Sequence, residues 1–145
     1  MTRIKYDEVA PDVLKAMFDL ERHVEQSGLE FSLLDLVKLR ASQINGCAAC
    51  IDMHAKAALA RGETEQRLYE LDAWRETPFY SERERAALAW TEAVTIITDG
   101  HVSEKVYDEV RHQFTDVELV NLTLAVVAVN GWNRFGVAFR MVPGN

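Results

Sequence analysis

Three residues with reactive side chains lie close together in the sequence: Cys47, Cys50 and His54. Each residue of a helix is rotated by ~100° from the one before it, so these three side chains would fall within an arc of ~60° on one face. Cys50 and His54 are four residues apart and would be neighbours on successive turns, while Cys47 and Cys50 are close enough to oxidise to one another. The spacing predicts a base beside one of two thiols that can form a disulfide.

The surroundings of Cys50 favour its ionisation. The thiolate is the reactive form, and an ordinary cysteine with a pKa of about 8.5 is mostly protonated at neutral pH. A helix N-terminus carries partial positive charge, and His54 can accept the proton, so both would help Cys50 to ionise. The pair contains both cysteines of the chain, and the first residues lack a secretory apolar stretch. We therefore expect a cytoplasmic protein, in which a close pair is more often catalytic or metal-binding than structural or incidental.

A metal site is the main chemical alternative at these positions. Two thiolates and one imidazole are good zinc ligands, but a structural zinc site usually has four ligands. The sequence shows no evident fourth ligand. We therefore predict neither a metal nor another cofactor.

The segment that carries these residues, residues 33–62, predicts two helices in a tight antiparallel hairpin. Asn45 and Gly46 suit the left-handed conformation that ends helices, so one helix would span about residues 31–44 and the next would begin near Cys47 and end near Gly62. Asp35 lies twelve residues before Cys47, roughly level with the far half of the second helix. It is the best-placed carboxylate of the hairpin to orient His54, although a solvated or capping role within its own helix remains open.

The rest of the chain also reads as helical. Apolar residues recur mostly at helical spacing, and alternation of the kind found in strands is scarce. We predict an all-α, single-domain bundle over residues 1–145, with further helices at about residues 11–26, 64–74, 81–98, 103–113 and 116–140. The last segment is rich in β-branched residues and could be a buried strand, but its length favours a helix that is buried on most faces.

Composition excludes two classes of partner. The formal net charge is −7 and the sequence pI is about 5.1. No cluster of lysine and arginine supplies the positive surface that a nucleic acid requires. The longest apolar run is also far shorter than the ~20 residues of a membrane-spanning helix. We expect neither a nucleic acid nor a membrane as a partner.

The hairpin resembles the core motif of the alkylhydroperoxidase D and carboxymuconolactone decarboxylase superfamily. In that motif a carboxylate precedes Cys-x-x-Cys by twelve positions and a histidine follows it by four, which matches Asp35, Cys47, Cys50 and His54. The resemblance extends more loosely over most of the chain. Two features depart from the best-known peroxidases of this group: Asp35 replaces a glutamate, which is longer by ~1.5 Å, and alanines fill both positions between the cysteines.

The resemblance implies a thiol peroxidase that cycles through a disulfide. Cys50 would attack the hydroperoxide and become a sulfenic acid, Cys47 would condense with it, and His54 with Asp35 would relay the proton. The implied partners are a hydroperoxide and a reductant, either a lipoyl or thioredoxin-like protein or a small thiol. The resemblance also implies a homo-oligomer, a trimer or a hexamer. A decarboxylase-like lactone activity and a non-enzymatic redox sensor are the alternative functions.

Overall fold

The computed structural model describes residues 1–144, and within that range it contains helices and no strands. The eight α-helices are α1 (Tyr6–Val9), α2 (Pro11–Glu25), α3 (Phe31–Asn45), α4 (Ala48–Ala60), α5 (Glu65–Tyr69), α6 (Glu82–Thr95), α7 (Glu104–Gln113) and α8 (Asp116–Ala138), with a 3₁₀ helix at Leu71–Glu76 between α5 and α6. The all-α prediction is confirmed, and the β-branched C-terminal segment is a helix.

Helix α3 lies at the centre of the bundle, since it contributes to two groups of buried apolar side chains. Leu33, Leu34 and Val37 pack in the larger group, which includes side chains of α2, α6, α7 and α8. Leu36 and Leu39 pack in the smaller group with side chains of α4, α5, the 3₁₀ helix and α6. Because both sides of α3 are covered, its residues 33–39 are all buried, including the charged residues Asp35 and Lys38.

The predicted turn between α3 and α4 is confirmed. Gly46 has φ 65° and ψ 34°, the left-handed conformation that a glycine adopts without steric cost. Asn45 still belongs to α3, and Cys47 is the N-cap of α4 rather than its first residue. The two helices pack against each other as the predicted hairpin.

Other helix boundaries differ from the sequence predictions. The helix predicted at residues 64–74 ends at Tyr69, and a 3₁₀ helix with a kink at Ala73 follows it. Helices α6 and α8 end at Thr95 and Ala138, three and two residues before their predicted ends. The short α1 was not predicted, because four residues are too few to show a helical period.

Helix α8 is apolar on nearly all sides and is buried on most of them. Leu122, Ala125, Val126 and Val129 are almost completely buried, whereas several valines of the same helix remain exposed. No single helix within residues 1–144 has both the length and the apolar character to span a membrane. Helices α7 and α8 meet these two criteria only when taken together, and the pair is bent by 118°.

Candidate active site

The two cysteines form a disulfide at the start of α4, with Cα atoms 5.2 Å apart. As the N-cap residue, Cys47 also accepts a hydrogen bond through Sγ from the backbone N–H of Cys50, at 3.4 Å. Both cysteines are buried, but only Cys50 is among the residues that line the adjacent cavity. Of the two cysteines, Cys50 therefore borders the cavity and Cys47 does not.

The cavity has a volume of about 880 Å³ and lies between the N-terminal segment, helices α1 to α4, helix α8 and the residues that follow α8. Apolar side chains such as Phe18, Met53 and Trp132 form part of its wall. Its polar wall contains His54, Asp35 and other charged groups. The space suffices for a small organic molecule to reach the Cys50 sulfur.

His54 lies one turn after Cys50 on α4, as its spacing predicted. Its Nε2 atom is buried and has no hydrogen-bond partner within residues 1–144. Burial and, to a smaller extent, the positive charge of Lys38 lower the pKa of His54 to about 4, although Glu21 opposes this effect. In the disulfide form the imidazole is thus neutral at physiological pH, with Nε2 free to bond to a ligand.

Asp35 lines the same cavity, but its hydrogen-bond partner is not His54, the residue that it was expected to orient. Its carboxylate accepts from the guanidinium of Arg61, the C-cap residue of α4, and this guanidinium lies over the ring of Phe31. No hydrogen bond joins Asp35 to His54 among the described residues. The structure places Asp35 at the site, and its predicted relay role remains a prediction.

Sequence reasoning missed a second ion pair in the cavity, between Lys38 and Glu21. The ammonium of Lys38 donates to the carboxylate of Glu21 on α2, and both side chains are largely buried. A signal for Lys38 was present, since it follows Asp35 by three positions in a stretch, residues 33–39, that is otherwise apolar. Glu21 had no such signal, because α2 is distant from the cysteines in sequence.

The metal alternative gains no support from the geometry. No group of three or more His, Cys, Asp or Glu side chains within residues 1–144 is arranged to hold a metal ion. The cysteine sulfurs are bonded to each other, so in this state they are not thiolate ligands.

The fold and the site together define an alkylhydroperoxidase D-like protein with a disulfide at the N-terminus of α4. The sequence profile of the carboxymuconolactone decarboxylase family matches residues 11–93. The chain belongs to that family.

Two similar proteins support this assignment, and a third shares the fold. An uncharacterized protein of Bacillus subtilis (strain 168), YdfG, is 43% identical over 136 residues, which are 94% of this chain and 92% of YdfG. A crystal structure from Agrobacterium tumefaciens, of a protein of unknown function proposed to be the antioxidant defence protein AhpD, is 43% identical with a TM-score of 0.97, covering 100% of this chain and 99% of the other. An uncharacterized peroxidase-related protein of Ralstonia eutropha with an AhpD core is 19% identical with a TM-score of 0.84, over 96% and 74% of the two chains. This last likeness shows the fold alone.

Proposed function

We propose that this protein is a thiol-dependent peroxidase that reduces organic hydroperoxides through a cycle between a Cys47, Cys50 dithiol and its disulfide. The observation that carries the proposal is the disulfide itself, because its Cys50 borders a cavity that is also lined by His54, whose Nε2 has no hydrogen-bond partner within residues 1–144. A substrate in the cavity can reach Cys50 without passing Cys47. The cavity is also lined by a neutral base, His54, one helical turn from the cysteine that would have to lose a proton.

The first half of the cycle oxidises Cys50. Its thiolate attacks the outer oxygen of the hydroperoxide, the O–O bond breaks, and the products are a sulfenic acid and an alcohol. The alkoxide that leaves must gain one proton. His54 takes the thiol proton of Cys50 and returns it to the leaving oxygen.

The second half closes and then reopens the disulfide. The Cys47 sulfur attacks the sulfenic sulfur of Cys50, water leaves, and the disulfide forms. An external dithiol, such as a lipoyl group or a thioredoxin-like protein, returns two electrons and two protons and is itself oxidised to a disulfide. A small thiol would supply the same electrons in two steps.

In this proposal Asp35 is a positioning residue that acts through Arg61. The positive charge of Arg61 lowers the pKa of His54, and the carboxylate of Asp35 balances that charge. We expect Asp35→Asn to move the acid limb of the pH profile of turnover to lower pH and to reduce the rate. Asp35→Glu should retain most of the parent rate and pH profile.

The test of the proposal is a count of free thiols after the reduced protein meets one equivalent of cumene hydroperoxide. The parent should lose two thiols rapidly, Cys47→Ser should accumulate a sulfenic acid that dimedone traps, and Cys50→Ser should be inert. Equal reaction rates of the parent, Cys50→Ser and free cysteine would contradict the proposal.

The same variants separate the two alternatives. A redox sensor would react with peroxide once, slowly, and would not turn over with added dithiol. A lactone decarboxylase has no need of a dithiol, so its activity would survive substitution of both cysteines.

A further inference from the structure

Helix α8 passes directly behind the disulfide at Gly136. A Cβ atom at this position would lie 2.6 Å from Cys47 Sγ and 3.2 Å from Cys50 Sγ. Favourable contacts between nonbonded atoms of this size lie at about 3.5–4.0 Å, so no side chain fits at position 136 while both sulfurs occupy their present positions. The disulfide and the glycine backbone are in direct contact.

The backbone conformation does not explain the glycine. Gly136 lies inside α8 and is absent from the glycines with positive φ, so alanine could adopt the same conformation. Glycine in a helix interior is also less favourable than alanine. The feature that excludes a side chain is the space taken by the two sulfurs.

Hydrogen bonds fix the position of α8 at this point. Asn133, one turn before Gly136 on the same face, is almost completely buried. It accepts from the side-chain amide of Asn45 at 2.9 Å and donates to Ser42 Oγ at 3.0 Å. These bonds join α8 to the end of α3 that leads into Cys47. The backbone of Gly136 is therefore held against the cysteines and cannot easily withdraw from them.

We propose that Gly136 is a positioning residue that favours the disulfide over the dithiol. In the disulfide both sulfurs are fixed where a side chain at 136 would overlap them. In the dithiol each thiol rotates independently, and the Cys50 sulfur can turn into the cavity that it lines. An added methyl group thus costs more in the oxidised form than in the reduced form.

The inference adds to the proposed function, because the closing step by Cys47 depends on this equilibrium, but it can be measured without peroxide. The protein disulfide exchanges with dithiothreitol, giving the protein dithiol and cyclic oxidised dithiothreitol with transfer of two electrons and two protons. The equilibrium constant is obtained by measuring the fraction of the protein in the dithiol form at several ratios of reduced to oxidised dithiothreitol.

The same helix supplies a matched control at Gly131. A Cβ atom there would lie 3.1 Å from Met17 Cε and 3.9 Å from Met17 Sδ, the far end of a flexible side chain that can move aside. Gly131→Ala and Gly136→Ala therefore introduce the same residue into the same helix. Only the second places a methyl group against the cysteines.

We expect Gly136→Ala to raise the equilibrium constant for reduction of the protein at least tenfold, which is about 30 mV in reduction potential for a two-electron couple. Gly131→Ala should stay within about twofold of the parent. Equal constants for Gly136→Ala and the parent would overturn the inference, and so would equal shifts in the two alanine variants.

A second measurement applies if Gly136→Ala does not fold. In the ¹⁵N-labelled parent, reduction should move the amide resonance of Gly136 more than that of Gly131. A smaller or equal change at Gly136 would refute the contact.

The two proposals can fail separately. If Gly136→Ala shifts the dithiothreitol equilibrium but peroxide consumes no thiols, the peroxidase proposal fails and this inference stands. If peroxide consumes the thiols but Gly136→Ala does not shift the equilibrium, the peroxidase proposal stands and the role of Gly136 is removed.

Discussion

At the scale of single residues, the sequence predicts well how the side chains of one helix are placed relative to each other. Cys47 and Cys50 lie at the start of α4 and His54 one turn after Cys50, as expected, because their relative placement depends only on helix geometry. The partner of Asp35 could not be derived in this way. Arg61 reaches Asp35 from the far end of α4, a contact that depends on how closely α3 and α4 pack. The sequence predicts that a carboxylate is nearby, and the packing decides which group it binds.

The burial of His54 predicts a pH-dependent stability of the disulfide form. Its pKa is about 4 in the folded protein and about 6.5 when exposed, so the unfolded chain binds more protons between these values. The stabilisation is complete above about pH 6.5 and is lost as the pH falls towards 4. We expect His54 to account for up to about 3 kcal/mol of this loss.

Urea unfolding at about pH 7 and about pH 4.5 checks this prediction. His54→Asn should show a smaller fall in the free energy of unfolding between the two pH values than the parent. His23→Asn is the matched control, because His23 is an exposed histidine of α2 and should leave the fall unchanged. An identical pH dependence in His54→Asn and the parent would mean that His54 titrates normally in the folded protein.

At the scale of helices, signals confined to a few residues predict where helices start. Ser81 and Glu84 have the spacing of a capping box and form one at the start of α6, and Thr64 caps α5 through the N–H of Arg67. The break after Tyr69 has a tertiary cause instead. Leu71 and Trp74 are buried in the smaller core, and the indole N–H of Trp74 bonds to Glu92 of α6 at 3.3 Å. A continuous helix would have directed these two side chains differently.

The attachment of α8 to α3 through Asn133 is testable by substitution. Asn133→Leu keeps the number of side-chain heavy atoms and their branching but leaves the polar groups of Asn45 and Ser42 without these partners in a buried site. An unsatisfied buried group costs about 1–3 kcal/mol, so the free energy of unfolding should fall by at least that amount. Asn121→Leu is the control, because Asn121 lies on the same helix and makes no side-chain hydrogen bond within residues 1–144. Equal losses from chemical denaturation of both variants would argue against the network.

At the scale of the whole molecule, the helical bundle follows from the apolar periodicity, whereas the cavity does not. Its walls come from α2 and from both ends of the chain as well as from the predicted hairpin. Glu21 reaches the site because α2 packs against α8. Contacts between segments so far apart in sequence leave no periodic signal in either segment, which explains why the reactive residues could be predicted and the shape of their cavity could not.

The exposed valines of α8 form a candidate interface for the predicted self-association. Val117, Val120 and Val127 follow one face of the helix, and Val117 and Val120 are 71% and 70% exposed. A row of β-branched apolar side chains on the surface of a long helix is typical of an interface.

We expect the parent to sediment as a trimer or hexamer. Val120→Asp places a charge in that row of valines and should sediment as a monomer. Val9→Asp is the control, since Val9 is equally exposed at 73% but lies on α1. A monomeric parent in sedimentation velocity would contradict the prediction, and dissociation by Val9→Asp alone would move the interface from α8 to the N-terminal segment beside the cavity.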